Sequence, residues 1–496
     1  MRLRKSKLEP CQIIIFGGTG DLTHRKLIPA FYNLLEEDLL PKEFTIVATG
    51  RCIDNREEYL KSLYNSLQKF VSREIKEEVW NSLKGRIYYK CFDILEENGC
   101  KGLKELLDSL DNKYNIPNRR IFYLAVPPRF FGTIVTNLDR YKLLDFSGDS
   151  WSRVVIEKPF GYDLESACDL NKQITKVFPE ENIYRIDHYL GKEMLQSMMV
   201  IRFANLLFEP LWNNKYIDNI QIISNEKVGV GDRGAYYEKS GALRDMVQNH
   251  MLQILSLTAM EPPADMTTES IRDEKIKVLK SLSKFDNVDE YVVRGQYEAG
   301  KVDKEEVIAY HDEKNVSSDS KTETYVALKT FVNNLRWSGV PFYIKTGKRL
   351  STKLTEVIVE FKSDFHPAYQ NNSTNLSPNL LVIKIQPEEG VYFQFNAKEP
   401  GSKEKIVPVK MDFCQNCQVG FNSPEAYERL MHSVIIGDQT LFTRWDEVEY
   451  SWDFVDQIAD FWSENQKNLP KYPAGSNGPK EADDLLIEDG RKWWDV

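Results

Sequence analysis

The stretch CQIIIFGGTGDLTHRKL, residues 11–27, decides the fold of the chain. Residues 11–16 form a short, continuous apolar run, which is typical of a buried parallel strand. The glycine-rich turn at 17–23 follows directly, and apolar residues then recur at helical spacing. This context is the one that a dinucleotide-binding fingerprint requires, because glycine lets the backbone approach a pyrophosphate and the helix start donates N–H groups to it. Thr23 stands at the third glycine position, so the motif by itself could be a plain turn. The strand before it and the helix after it favour nucleotide binding.

The second predicted strand, at residues 44–49, ends in Gly50 and Arg51. Enzymes that use NAD usually place an acidic residue there, on the ribose hydroxyl, whereas an arginine suits the 2′-phosphate of NADP. NADP is therefore the favoured cofactor. Asp54 follows three residues later, which leaves NAD as the second choice, and a surface arginine is the alternative interpretation of Arg51.

The first part of the chain predicts a parallel sheet. Further strands are expected at residues 87–92, 120–126, 153–157 and 182–185, and amphipathic helices at 56–84 and 101–110. Ligands of such sheets bind at the carboxyl ends of the strands, where the segment EKPFG brings Lys158. Lys158 could reach a substrate or nicotinamide from this turn, or it could be a solvated loop lysine.

The segment RIDHYLGKE, residues 185–193, follows the last of these strands and so lies at the same edge. One interpretation is a pocket that holds an anion on His188 and Lys192 beside an acid/base group, Asp187. The alternative is a solvated helix start with Asp187 as its cap. Gly191 indicates a special backbone conformation or a close approach.

The second part of the chain predicts a large antiparallel sheet beside a helix at about 241–260. Its strands are expected at residues 217–223, 291–300, 325–333, 341–346, 356–361, 379–386, 391–396 and 407–413. His250 shares an apolar stripe of the helix, which is usual for a core histidine, although its neighbours are unusually polar. The basic segment at 347–353 could close an anion site or be a hairpin turn. The tail after Lys471 is rich in glycine and proline and predicts a loose surface segment.

Composition excludes several classes of protein. The 496 residues predict two or three domains, and the net charge of −10 argues against a general nucleic-acid binder. No stretch approaches the roughly 20 apolar residues of a membrane span, and the basic start lacks an apolar signal core, so a cytoplasmic protein is expected. Seven dispersed cysteines predict reduced thiols, and nothing near Cys414 and Cys417 completes a zinc site.

Five segments, in order along nearly the whole chain, closely resemble the glucose-6-phosphate dehydrogenase family. They are GGTGDLTHRKL (17–27), EKPFG (157–161), RIDHYLGKE (185–193), RDMVQNHMLQ (244–253) and VPFYIKTGK (340–348). The resemblance implies an α/β Rossmann-like domain at 1–187 and a larger α+β domain with a mainly antiparallel sheet at 188–496, which commonly forms a homodimer or homotetramer. It also implies oxidation of glucose 6-phosphate to 6-phosphogluconolactone with reduction of NADP.

The resemblance assigns a role to each matching residue. His250 matches the general base and Asp187 its carboxylate partner, whereas His188, Tyr189 and Lys192 match residues that hold the substrate phosphate. Residues around the sugar are matched by Lys158, Glu226, Asp245, Lys348 and Lys353. The cofactor site is matched by Gly17, Gly18, Thr19, Gly20, Asp21, Leu22, Arg51 and Lys158. No metal is required, since the base takes the proton and the nicotinamide takes the hydride.

The chain departs from its relatives at a few positions. Phe131 replaces a tyrosine of some members, so that cofactor contact is expected to differ. Leu354 and Ile358 stand where animal members carry basic residues of a second, structural NADP site, which argues against that site and for a microbial-type enzyme. Two rival functions remain open: another NAD(P)-dependent sugar dehydrogenase, and a non-catalytic NADP-binding sensor.

Overall fold

The computed structural model describes residues 8–50, 55–91, 97–363, 376–402, 405–414, 425–465 and 469–494. Arg51, Asp54 and Cys417, together with most of the loop expected at 363–377, lie outside these ranges. The chain forms two compact units. The first comprises Met1–Gly191, Thr267–Glu269 and Pro424–Glu449, and the second comprises Lys192–Met266, Ser270–Ser423 and Tyr450–Val496. The domain boundary expected between 187 and 188 stays a prediction.

The first unit is built on a sheet of seven strands. Six are parallel: β1 (Cys11–Phe16), β2 (Phe44–Gly50), β3 (Ile87–Cys91), β4 (Arg119–Leu124), β5 (Trp151–Ile156) and β6 (Ile183–Ile186). Their order is β3-β2-β1-β4-β5-β6, and Phe442–Thr443 pairs antiparallel with β6. This is the doubly wound order in which a ligand binds where the strand order reverses, beside β1. The predicted Rossmann-like fold is confirmed.

Helices connect these strands and cover the sheet. They span Ile28–Glu36, Arg56–Phe70, Glu77–Arg86, Glu97–Tyr114, Phe131–Arg140, Leu164–Thr175 and Ala426–Ile436, with shorter helical turns at Thr23–Leu27, Pro128–Phe130 and Glu180–Asn182. The helical segment expected at 56–84 is present but divided into two helices, because Val71 and Lys76 are extended. The Lys76 N–H instead donates to the hydroxyl of Tyr32, 2.8 Å away.

A nine-stranded sheet forms the frame of the second unit. In sheet order its strands are Ile406–Cys414, Gly390–Lys398, Leu380–Gln386, Leu354–Phe361, Ile217–Asn225, Pro341–Gly347, Tyr325–Phe331, Val292–Glu298 and Lys471–Pro473. The pairing is antiparallel except where Pro341–Gly347 meets Ile217–Asn225 and where Lys471–Pro473 meets Val292–Glu298. The predicted large, mainly antiparallel sheet is therefore confirmed. A small hairpin joins Gly300–Val302 to Glu305–Val307.

The helices of the second unit include one segment of unusual geometry. The helices span Glu193–Phe203, Gly234–Ala242, Leu243–Met251, Leu252–Ala259 and Glu481–Ile487, with short turns at Glu209–Leu211, Gly231–Arg233, Val288–Tyr291 and Tyr310–Asp312. Thr268–Lys280 and Trp445–Glu464 have residues in both units. The helix expected at about 241–260 is present, but its first part, Leu243–Met251, is a π-helix, and only Leu252–Ala259 is α-helical. In the described part of the chain, no helix combines the length and apolar character needed to cross a membrane.

Two expectations about the rest of the chain are wrong. The described part of the tail, residues 471–494, is ordered, since Tyr472 and Leu486 are fully buried in a strand and a helix. A strand as short as Lys471–Pro473 has no room to show alternation, so its composition suggested a loop. Cys91 and Cys414 each take part in a disulfide bond, against the expectation of reduced thiols.

Candidate active site

The glycine-rich turn between β1 and the first helix forms a cradle that side chains would fill. Gly17 adopts a φ of +90°, and a Cβ atom there would lie 2.2 Å from the carbonyl oxygen of Ala125. A Cβ on Gly18 would lie 2.6 Å from the Cβ of Ala48. The hydroxyl of Thr23 donates to the Gly17 carbonyl at 3.0 Å, so the residue that replaces the third glycine stabilises the turn. The cradle fits the pyrophosphate of a dinucleotide.

The end of β2 packs directly on this turn. The N–H groups of Gly17 and Gly18 donate to the carbonyl of Thr49 at 3.0 and 2.8 Å. A Cβ on Gly50 would lie 3.1 Å from the Thr19 hydroxyl oxygen. Arg51 is the next residue in the sequence, and its role toward the 2′-phosphate stays a prediction.

Gly17→Ala is expected to weaken NADP binding strongly, because the new Cβ would collide with the Ala125 carbonyl and an L-residue is strained at this φ. Fluorescence titration with NADPH measures the effect, for which we expect a rise in Kd of at least about 100-fold. Gly85→Ala is the matched control, since a Cβ there meets nothing within 4 Å. An unchanged Kd in Gly17→Ala would contradict the assignment of the turn to the cofactor.

The turn that carries Lys158 is fixed by its neighbours. Its peptide bond to Pro159 is cis, and Gly161 adopts a φ of +83°. The carboxylate of Glu157 accepts hydrogen bonds from the hydroxyls of Tyr123 at 2.5 Å and Tyr427 at 3.1 Å. Lys158 is thus held at the carboxyl edge of the sheet on a turn of defined shape.

Residues 187–191 form a compact turn after β6 and not a solvated helix start. Asp187 is 3% exposed, and its Oδ1 accepts a hydrogen bond from the N–H of Tyr189 at 2.9 Å. The rings of His188 and Tyr189 are 5.0 Å apart in an edge-to-face arrangement. A Cβ on Gly191 would lie 2.8 Å from the carbonyl oxygen of Ala426, which confirms the expected close approach. The next helix begins only at Glu193.

In the second unit, Lys192 contacts a residue that sequence reasoning missed. Its Nζ donates to Oε1 of Gln386, and the amide of Gln386 donates to the hydroxyl of Thr355 at 2.8 Å. The Thr355 hydroxyl also lies 2.9 Å from that of Ser224, within the sheet. Its position at the end of a predicted strand, just before Pro387, could have indicated Gln386 as a site residue. Glutamine is common at strand ends, so this position alone was not specific.

An ion pair between a buried lysine and a partly exposed carboxylate forms around the basic turn. The Nζ of Lys348 donates to the carboxylate of Glu226 and lies 5.0 Å from the centroid of the Tyr237 ring. The Glu226 N–H donates to the carbonyl of Gly347 at 2.9 Å, which fixes the backbone of the pair. Lys348 is 7% exposed, whereas Lys353 is exposed. The hairpin turn is the wrong interpretation, because the flanking strands Pro341–Gly347 and Leu354–Phe361 each pair with Ile217–Asn225 and not with each other.

The π-helical segment carries both His250 and Asp245. His250 is 1% exposed, in line with the predicted apolar stripe. The hydroxyl of Tyr236 donates to Asp245 at 3.1 Å, and burial, aided by the Asp245 charge, raises the pKa of Tyr236 so that it stays a donor. Gly241, at a φ of +59°, precedes the segment. Such π segments are rare and often lie at functional sites.

The doubly wound sheet with its glycine cradle defines a dinucleotide-binding protein of the Rossmann-like class. Two family models match the chain: the NAD-binding domain of glucose-6-phosphate dehydrogenase over residues 14–197, and the C-terminal domain of that enzyme over residues 199–494. The chain belongs to the glucose-6-phosphate dehydrogenase family.

Individual proteins agree with this assignment. The chain is 50% identical to glucose-6-phosphate 1-dehydrogenase of Bacillus subtilis (strain 168), with 98% of each chain covered. It is 46% identical to that of Chlamydia muridarum (strain MoPn / Nigg), over 98% of this chain and 96% of the relative. A solved glucose-6-phosphate dehydrogenase in complex with glucose 6-phosphate is similar at a TM-score of 0.89 and 31% identity, covering 98% of this chain and 99% of the other.

Proposed function

We propose that this chain oxidises glucose 6-phosphate at C1 to 6-phosphoglucono-1,5-lactone, with hydride transfer to NADP, the first step of the oxidative pentose phosphate pathway. The observation that carries the proposal is the match of the two family domains over nearly the whole chain. The predicted base, its carboxylate partner and the phosphate-binding residues are all present within the matched segments. The chain is accordingly assigned as an NADP-dependent oxidoreductase.

We assign proton removal to His250. The C1 hydroxyl must lose its proton as hydride leaves C1, or a protonated lactone would result. A neutral imidazole accepts such a proton near neutral pH, and a carboxylate stabilises the imidazolium that forms. Asp187 is the proposed carboxylate, and its hydrogen bond from the Tyr189 N–H holds it in one orientation. NADP, when bound, accepts the hydride.

Substrate binding is divided between two groups of side chains. His188, Tyr189 and Lys192 are proposed to hold the phosphate dianion, which needs more than one cation or donor. The sugar is assigned to Lys158, Glu226, Asp245, Lys348 and Lys353. The Lys348–Glu226 pair supports this assignment, because a fixed ammonium and carboxylate can donate to and accept from adjacent hydroxyl groups. We add Gln386 to the residues proposed to bind the phosphate, because it accepts a hydrogen bond from Lys192.

One assay tests the proposed function against both rivals. The absorbance of the reduced nicotinamide is followed with NADP and glucose 6-phosphate, then with NADP and glucose. Both series are repeated with NAD in place of NADP. We expect rapid reduction of NADP with the phosphorylated sugar and little with glucose. A higher rate with glucose than with glucose 6-phosphate would favour the first rival, another NAD(P)-dependent sugar dehydrogenase. NADP binding without turnover on either sugar would favour the sensor.

We further propose that the chain forms a homodimer or homotetramer through the outer strands of its nine-stranded sheet. Ile406–Cys414 is the edge strand, and its Met411 and Phe413 are 64% and 43% exposed. Met411 pairs with Phe393 of the neighbouring strand, so their side chains share one face of the sheet. An exposed apolar face on a long edge strand favours association with another chain, and the family resemblance favours a second copy. The cytoplasmic location, like the absence of nucleic-acid and membrane partners, stays a prediction.

Met411→Arg is expected to convert the oligomer to monomers at micromolar concentration, because the charge would have to be buried in an apolar contact. Light scattering after gel filtration measures the mass. Lys277→Arg, on an exposed helix position, is the control and should leave the mass unchanged. An unchanged oligomer in Met411→Arg would place the interface elsewhere.

A further inference from the structure

The helix Ala426–Ile436 returns to the first unit from a distant part of the sequence and contacts both of its proposed substrate loops. The hydroxyl of Tyr427 donates to Glu157, next to Lys158, at 3.1 Å. The guanidinium of Arg429 donates to the carbonyl of Gly191 at 2.8 Å. Both residues belong to the first turn of the helix, so one rigid element holds two loops that are separate in sequence.

The rest of the unit fixes this helix in place. The guanidinium of Arg153, on β5, donates to the last carbonyls of the helix, those of Val434 and Ile435, at 2.7 and 2.9 Å. The amide of Asn33, on the helix Ile28–Glu36, donates to the carboxylate of Glu428 at 2.6 Å. The first turn is therefore anchored independently of the two loops that it contacts.

Glu157 joins the helix to the sheet. Its carboxylate oxygen Oε1 accepts hydrogen bonds from Tyr123, on β4, and from Tyr427. Burial raises the pKa of the Glu157 carboxyl, whereas the two phenol donors, and then the Lys158 charge, oppose the rise. Loss of either phenol would leave a carboxylate oxygen poorly satisfied beside the turn that carries Lys158.

Arg429 acts on the other loop. It is 4% exposed, and the carbonyl that accepts its hydrogen bond lies between Tyr189 and Lys192 in the sequence. The backbone of Gly191 approaches Ala426 so closely that a Cβ would lie 2.8 Å from the Ala426 carbonyl oxygen. The position of this loop therefore depends on the first turn of the helix.

We propose that Tyr427 and Arg429 are positioning residues for the reaction: Tyr427 fixes the Lys158 turn through Glu157, and Arg429 fixes the loop of Asp187, His188 and Tyr189 through Gly191. This inference rests on the proposed function, since it assumes that both loops bind the substrate. Neither side chain is required to touch the substrate. Each acts through a residue that it holds.

The test compares Tyr427→Phe and Arg429→Lys with the control Glu428→Gln, which retains an acceptor for Asn33 on the same helical turn. The unmodified enzyme must first oxidise glucose 6-phosphate, so that a failure of the proposed function is seen separately. In both test variants we expect the KM for glucose 6-phosphate to rise about tenfold, because each variant loses one hydrogen bond that fixes a binding group. The Kd of NADPH, from fluorescence titration, should rise less than about twofold in Arg429→Lys, because that loop is assigned to the substrate alone.

The outcomes separate positioning from a merely structural role. An unchanged KM for glucose 6-phosphate in both test variants would overturn the proposal, whatever happens to kcat or the thermal midpoint. An equal rise in Glu428→Gln would overturn it as well, since the effect would then belong to general weakening of the helix. A Tyr427→Phe variant that does not fold would assign Tyr427 to stability and refute its part of the proposal. A rise in KM confined to the two test variants would support the proposal.

Discussion

Replacing His250 by asparagine is expected to lower kcat by about 100- to 10,000-fold, the usual contribution of a general base, with little change in glucose 6-phosphate binding. Asparagine retains a polar side chain of similar reach but has no site that takes up a proton at neutral pH. The groups assigned to the phosphate and the sugar stay in place. Initial rates give kcat, and calorimetric titration gives the Kd of the sugar phosphate.

His432→Asn is the matched control for this change. His432 is buried to the same extent as His250, at 1% exposed, but no role in the reaction is assigned to it. Both substitutions remove a buried imidazole, so both are expected to lower the thermal midpoint, whereas only His250→Asn should lower kcat by orders of magnitude. If both variants lost stability and kept turnover, His250 would be a core histidine, the usual interpretation of a histidine on an apolar stripe.

The first unit was predictable because its signals are local. Buried parallel strands appear in sequence as short apolar runs, and β1 with its glycine-rich turn specifies both the sheet and the cofactor edge. Gly17 and Gly18 are required because a Cβ atom there would collide with Ala125 and Ala48. These contacts are not visible in the sequence, but the glycine-rich turn after an apolar run already indicated that the backbone approaches another group closely. The right-handed crossovers of such units limit the possible strand orders, but the order β3-β2-β1-β4-β5-β6 itself is seen only in the structure.

Features that depend on distant residues were not predictable. Helix Ala426–Ile436 follows the strands of the second unit in sequence but belongs to the first, and nothing local indicates which sheet it covers. The π-helix at Leu243–Met251 has the apolar stripe of an ordinary helix, because a change in hydrogen bonding hardly alters the residue pattern. Gln386 gained a candidate role only from its contact with Lys192.

The remaining large effect is expected at that contact. Lys192→Ala should raise the KM for glucose 6-phosphate by about 10- to 100-fold, because a hydrogen bond to a charged group contributes about 1.5–3 kcal/mol. The phosphate is remote from C1, and its binding energy holds the substrate in reacting geometry, so kcat should fall much less than KM rises. Steady-state kinetics over a wide range of substrate concentration measures both parameters.

The contact with Gln386 allows a second, graded test of the same site. The Gln386 amide donates to Thr355, which turns its oxygen toward Lys192 and so limits where the ammonium can lie. Gln386→Leu should therefore raise the same KM, but less than Lys192→Ala, because it frees the lysine without removing the charge. Lys277→Ala, which removes an exposed lysine paired with Glu274, is the control for loss of one positive charge. A normal KM in Lys192→Ala would remove Lys192 from the phosphate site, and a larger effect in Gln386→Leu than in Lys192→Ala would make Gln386 the principal ligand.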